Sequence, residues 1–365
     1  MTSVPATGPL SGLRVVEFGG IGPGPHCAML LSDLGAEVLR IERPGGGDWP
    51  NPIVDRGRHT VEIDISSEAG RTLAAEAIEQ ADVVVEGYRP GVMERFGLGP
   101  EAMLLRNPRL VYARMTGWGQ TGPLARAAGH DINYIALTGA LAAIADEDGR
   151  PIPPLNLVGD FGGGSLYLAF GIVAALWERD RSGRGQVIDG AIVDGVASLM
   201  TMFAGFAASG LNSLDPATNI LGGRAPYYRC YECADGRFIS VGPIEPSFYA
   251  ELVERIGGGE DLRHGRDDPA QWPALAGRLE ALFERRTRDQ WCAILEGSDA
   301  CFAPVLTYAE SLEHPHMVAR GVYVNSNGLT QAGPAPRFSR TPGAIGAGGD
   351  GAALLVRWRS ERKPE

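Results

Sequence analysis

The chain has 365 residues, 44% of them hydrophobic, a formal net charge of −11 and a pI near 5.1. That length suffices for one large domain and a smaller one, and the acidic balance argues against nucleic acid or an anionic membrane as the main partner while allowing a phosphorylated ligand held by local arginines. No run approaches ~18 uninterrupted apolar residues, so no membrane span is expected; the first ten residues lack a leader pattern, and five irregularly spaced cysteines suit a reducing, cytoplasmic setting.

Residues 13–18 read as a buried first strand, followed by the glycine- and proline-rich turn 19–25 and a helix over 26–34. Gly35-Ala36 closes that helix, and 37–42 is a second strand. The turn suggests a dinucleotide site, but the G-x-G-x-x-G spacing fails because Pro25 falls at the third glycine's place. Pro23 and Pro25 also lack the backbone donors a pyrophosphate would use. Strands are expected over 60–64, 82–86 and 109–114, with Ser66-Ser67 capping a helix that runs to about 80. Repeated strand–helix alternation means an α/β fold with a parallel sheet, Rossmann-like in build. Ligands of such sheets bind beyond the carboxyl ends of the strands, which here carry Ile21, Arg43, Gly87-Tyr88-Arg89 and Met115-Thr116-Gly117.

An apolar helix is expected over 165–181, a short extension over 186–190, and another helix over 191–211 with a stripe of Met200, Met202, Phe203 and Phe206. Such a stripe is read first as core packing, with a pliable surface for an apolar substrate tail as the alternative. Residues 212–223 resemble a linker. The pattern then changes to a hairpin around Asp235-Gly236 and helices over 248–256, 272–286 and 288–296, a smaller α+β unit. Cys230 and Cys233 have metal-like spacing, but no second pair follows and residues three apart on a strand face opposite ways, so they read as ordinary thiols. His314-Pro315-His316 reads as a helix entry, and no metal site is expected.

Two islands stand out. One leads from Thr116-Gly117-Trp118-Gly119-Gln120-Thr121-Gly122-Pro123 into Gly129-His130-Asp131-Ile132-Asn133-Tyr134; the other is Pro153 to Ser165 around Asp160. Taken singly, His130 is a locally satisfied histidine and Asp160 a helix cap. Taken together, an imidazole and a carboxyl among glycines and turn residues suit proton transfer, because burial raises a carboxyl toward the range where histidine titrates, near ~6.5. Asp160 is expected beside a helix N-terminus whose free amides would hold a developing oxyanion.

Leu10-Ser11-Gly12-Leu13-Arg14-Val15-Val16-Glu17, Gly35-Ala36-Glu37-Val38, Glu86-Gly87-Tyr88-Arg89-Pro90-Gly91 and Thr116-Gly117-Trp118-Gly119-Gln120-Thr121-Gly122-Pro123 together resemble the family III CoA-transferase (CaiB/BaiF) superfamily. Gly129-His130-Asp131-Ile132-Asn133-Tyr134, Gly159-Asp160-Phe161-Gly162-Gly163-Gly164 and Ile244-Glu245-Pro246 are similar to its α-methylacyl-CoA racemase branch. The resemblance implies an interlocked homodimer. Each chain would have a large Rossmann-like domain (1–190 with 335–365), a linker (191–221), a small α+β domain (222–322) and a second linker (323–334). It implies an acyl-CoA substrate, no cofactor, and His130 and Asp160 as acid/base groups, with Glu245 of the other subunit orienting His130. Arg43, Arg89 and Arg95 would lie near the CoA phosphates, Ile21 and Tyr88 would line the CoA site, and Gly87, Asp131 and Tyr134 are further contact candidates. Asp131 equally suits holding its own turn, and Glu245 could be a plain N-terminal charge. Transferases of the superfamily use an aspartate at the place of Asp160 as nucleophile and generally lack the histidine.

Overall fold

The computed structural model describes residues 7–46 and 49–361. Residues 1–6, part of the stretch read above for a leader, lie outside the described residues. In chain order the first elements are β1 (Arg14–Phe18), α1 (Pro23–Asp33), β2 (Glu37–Glu42), β3 (Arg58–Glu62), α2 (Glu68–Glu79), β4 (Val83–Glu86), α3 (Val92–Arg95), α4 (Pro100–Arg106), β5 (Val111–Thr116), α5 (Asp131–Leu137) and α6 (Ala140–Ala143). A π-helix (Leu157–Ser165) runs directly into α7 (Leu166–Ser182), followed by β6 (Val187–Ala191), α8 (Ile192–Leu199) and α9 (Thr201–Ser209). Then come β7 (Arg229–Glu232), β8 (Phe238–Val241), α10 (Pro246–Arg255), α11 (Trp272–Phe283), α12 (Arg288–Leu295), β9 (Phe302–Pro304), α13 (Tyr308–Glu313) and α14 (Pro315–Ala319). The hairpin β10 (Tyr323–Ser326) and β11 (Leu329–Ala332), β12 (Gly349–Asp350) and α15 (Gly351–Ser360) complete the chain.

These elements form two compact units, one of Met1–Thr138, Pro154–Leu199 and Gly321–Glu365, the other of Gly139–Pro153 and Met200–Arg320. In the first, seven strands lie in the order β12-β3-β2-β1-β4-β5-β6. Every pairing is parallel, with Val15 opposite Val38 on one side and Val83 on the other. The central strands carry Val, Leu and Ile on both faces (Val15, Val16, Val38, Leu39, Val83, Val84 and Val111 are fully buried), as a parallel sheet covered by helices on both sides demands. The α/β expectation therefore holds, and strand order reverses direction between β1 and β4, where such sheets open a ligand crevice.

The second unit is built on the antiparallel sheet β7-β8-β9. Gly236, at φ +72°, makes the tight turn of its hairpin. Its core gathers Tyr231, Ile239, Leu252, Phe283 and Trp291. Cys230 is exposed and Cys233 buried, as alternation along a strand requires, and no group of three metal-ligating side chains occurs among the described residues.

Several elements differ from the sequence reading. The α1 helix starts at Pro23 because proline is well suited to a first helical turn. The run 191–211 is two helices that break at Met200, so 191–221, read as a linker, is largely helical, and 323–334 is mostly the β10–β11 hairpin. No residue of α9 is buried within this chain, which removes the core-packing reading of Met202, Phe203 and Phe206. The π-helix and α7 together make a 26-residue apolar helix, long enough by length and composition to cross a bilayer. Here Leu168, Ile172, Ala175 and Leu176 of that helix are buried in the protein.

Candidate active site

A cavity of about 440 Å³ opens at the carboxyl ends of β1, β4 and β5. Its wall includes Ile21 and Gly22 after β1, Gly87, Tyr88 and Arg89 after β4, Thr116 at the end of β5 with Gly117 and Trp118 after it, and His130, Tyr134 and Asp160. The two titratable groups singled out by sequence thus line one cavity although 30 residues of chain, α5 and α6 among them, separate them. Ile21 is 61% exposed and forms part of the lip.

His130 sits immediately before α5 in extended backbone, and its amide donates to Asn133 Oδ1 at 3.0 Å. That bond fixes the turn from which His130 lines the cavity. Behind it, Tyr134 packs edge-on against Trp118, ring centroids 4.7 Å apart, and its hydroxyl donates to the Gly129 carbonyl. The sequence needs glycine at 117 for this: a Cβ there would lie 2.0 Å from the Tyr134 ring. Burial raises the Tyr134 hydroxyl above its ordinary value, with Asp160 adding to the rise and Arg89 opposing it.

Asp160 lies in the first turn of the π-helix, upstream of where the helix was expected to begin. Its Oδ2 accepts from Asn156 Nδ2 at 3.2 Å, one turn earlier. Burial holds its carboxyl above the usual carboxylate range; the Asn156 bond lowers it, the Asp131 carboxylate raises it further, and His130 lowers it. The two candidate groups therefore interact electrostatically across the cavity.

Asp131 does not line the cavity. Its side chain is buried and its Oδ2 accepts from the Asp160 amide at 2.7 Å, with the Gly159 amide as a second donor. It holds the π-helix, 29 residues further along the chain, rather than its own turn. This also revises the oxyanion expectation: the amides of Gly159 and Asp160 go to Asp131, and that of Phe161 to the Asn156 carbonyl at 3.2 Å. None of these is free for an enolate.

Arg43 and Arg95 are exposed and outside the cavity wall, Arg43 donating to the Gly46 carbonyl. Glu245 belongs to the second unit, at the N-terminus of α10, exposed and without a capping bond to the helix amides. Sequence reasoning passed over three contributors. Asn156 was legible from its i, i+4 spacing to Asp160 on a helix. Glu86 accepts from the Tyr88 amide and from Arg114, each at 2.8 Å, and so sets the Gly87–Arg89 lip; only the tertiary fold reveals it. Gly22, at φ +75°, allows α1 to approach until a Cβ would stand 3.1 Å from Asp160 Oδ2.

The CoA-transferase family III model matches residues 10–348. An α-methylacyl-CoA racemase from Mus musculus is 44% identical over 334 residues, 91% of this chain and 87% of that protein. The human α-methylacyl-CoA racemase is 41% identical over the same shares. Among solved structures, a CAIB/BAIF family protein from Brucella suis superposes with a TM-score of 0.79 at 27% identity, over 96% of this chain and 100% of that one. With a parallel sheet of this order and a match spanning nearly its whole length, the chain belongs to CoA-transferase family III.

Proposed function

We propose that the chain interconverts (2R)- and (2S)-2-methylacyl-CoA thioesters by two-base proton transfer at the carbon next to the thioester, with His130 and Asp160 as the two bases. The observation that carries this reading is the presence of both side chains on one cavity wall, with the carboxyl raised by burial. The identity to racemases supports the substrate class.

The proton balance is simple. In one direction neutral His130 removes the α-proton while Asp160 holds a proton; in the other, carboxylate Asp160 removes it and His130 is the acid. At the enolate stage both groups carry protons. The enolate charge then faces an imidazolium, and this pairing replaces the amide cradle that Asp131 and Asn156 occupy. A thioester delocalises the α-carbanion itself, so the step calls for neither metal nor organic cofactor. General acid–base groups of this kind contribute about 10²–10⁴-fold each.

Ile21, Gly87, Tyr88 and Arg89 would receive the CoA moiety, with Tyr134 backing His130; Arg43 and Arg95 would meet its phosphates outside the cavity. The working unit would be a homodimer in which a second copy of the chain supplies Glu245 to orient His130. Support comes from α7, where Leu166, Phe170, Val173 and Trp177 form one exposed apolar stripe, with Phe170 74% and Trp177 68% exposed. The exposed Met202 and the half-buried Phe203 and Phe206 of α9 offer a pliable surface for an apolar substrate tail. Cysteine usage fits a cytoplasmic setting.

Incubating one acyl-CoA enantiomer in heavy water tests the reading. A racemase washes deuterium into the α-position without any acceptor acid, and His130→Ala or Asp160→Ala nearly abolishes this. A second reading rests on Asp160 standing at the cavity of a family III fold, where it could attack the thioester as a nucleophile. In that case turnover requires an acceptor acid and exchange does not occur.

A further inference from the structure

A nine-residue π-helix is a rare structure that persists where its surroundings hold it, frequently at functional sites. On one side α8 presses against it: a Cβ on Gly195 would stand 1.8 Å from the Gly163 carbonyl oxygen, so only glycine permits this approach. On the other side is His26, in the first turns of α1. Its Nδ1 lies 2.7 Å from Oγ of Ser165, which is 0% exposed. Its ring packs on Phe161, centroids 4.5 Å apart and planes at 36°. Phe161 follows Asp160 directly, and Ser165 lies four residues beyond Phe161, so one imidazole touches the segment just after Asp160 at both ends.

His26 is itself firmly seated. The preceding Pro25 carbonyl accepts from Arg58, whose guanidinium pairs with buried Glu17 at 3.0 Å. Burial, then the charges of Arg58 and Arg56, push the imidazole down to about 4, so it is neutral near neutral pH. Either neutral tautomer keeps the bond to Ser165: Nδ1 accepts the hydroxyl proton, or donates its own. His26 is absent from the cavity wall, and the proton transfer does not use it.

We propose that His26 is a positioning residue for Asp160: its Nδ1 bond to Ser165 and its ring contact with Phe161 hold the π-helical turn, and with it the carboxyl, in line with the substrate's α-carbon. The inference rests on the two-base reading above.

The test measures α-proton exchange in heavy water with the full chain. His26→Phe keeps a ring against Phe161 and deletes the nitrogen, Ser165→Ala deletes the other partner, and His26→Asn restores a polar atom close to Nδ1. A misplaced acid/base group costs rate more than binding, so kcat should fall on the order of tenfold to a hundredfold in His26→Phe and Ser165→Ala, with KM little changed. His26→Asn should recover much of that loss, and the double variant His26→Phe/Ser165→Ala should be no slower than the slower single one, because both break one bond. Wild-type protein that exchanges nothing defeats the two-base reading and this proposal with it. Wild-type protein that exchanges, with kcat retained in both single variants, or with losses that add in the double variant and that Asn does not recover, defeats the His26 role alone. If His26→Phe does not fold, the kcat and KM of Ser165→Ala and His26→Asn decide by the same criteria.

Discussion

Replacing Gly22 by alanine should damage both stability and catalysis, and both effects can be worked from the geometry. Gly22 has φ 75° and ψ −122°, a conformation in which a side chain costs about 1–3 kcal/mol. In a domain of this size each kcal/mol lowers Tm by about 2–4 °C, giving a total drop of roughly 2–12 °C. The new Cβ would also stand 3.1 Å from Asp160 Oδ2 and 3.6 Å from its Cγ, so the carboxyl must yield by a few tenths of an ångström. Misplacement by ~1 Å can cost about 10²-fold in rate, so a shift of this size should cost on the order of tenfold in kcat. Gly20→Ala is the control, since the nearest atom to its Cβ would be the Phe18 carbonyl oxygen at 4.0 Å. Thermal unfolding and deuterium exchange, run on both variants, decide the matter. Equal exchange rates in Gly22→Ala and Gly20→Ala would refute the claim that α1's approach sets the carboxyl.

The active pair carries one proton in either direction of racemisation, so both directions should share one bell-shaped pH profile whose acid limb reports the second protonation. The Asn156 bond lowers the Asp160 carboxyl, so Asn156→Ala should move the acid limb of kcat/KM to higher pH; Asp131→Asn removes a like charge and should move it lower. Shifts in one common direction would show that another group titrates. Glu245→Gln should lower kcat by about tenfold or more, and co-expressing His130→Ala with Glu245→Ala chains should restore activity through mixed dimers, which assays of the purified mixed dimer would reveal. Phe170→Glu with Trp177→Glu should convert a dimer to an inactive monomer, measured by light scattering; an active monomer would remove the shared site.

The alternation of strand and helix, the apolar runs of β1, β2 and β4, and the turn chemistry of Ser67 and Asp235-Gly236 were legible in the sequence because each is local: periodicity and capping depend on residues a few positions apart. His130 and Asp160 could be singled out the same way, as titratable groups among glycines. Sequence could not tell that Asp131 turns away from the cavity to hold the Asp160 amide, or that this uses up donors expected for the enolate. Nor could it give the π-helix, which depends on Gly163 meeting Gly195 and on His26 meeting Ser165, contacts that span 32 and 139 residues of chain. Local sequence determined which elements form and which groups can carry a proton. Only the packed sheet, by bringing the ends of β1, β4 and β5 together, decided which of those groups share a cavity, because hydrogen-bond partners and burial are properties of distant segments brought into contact.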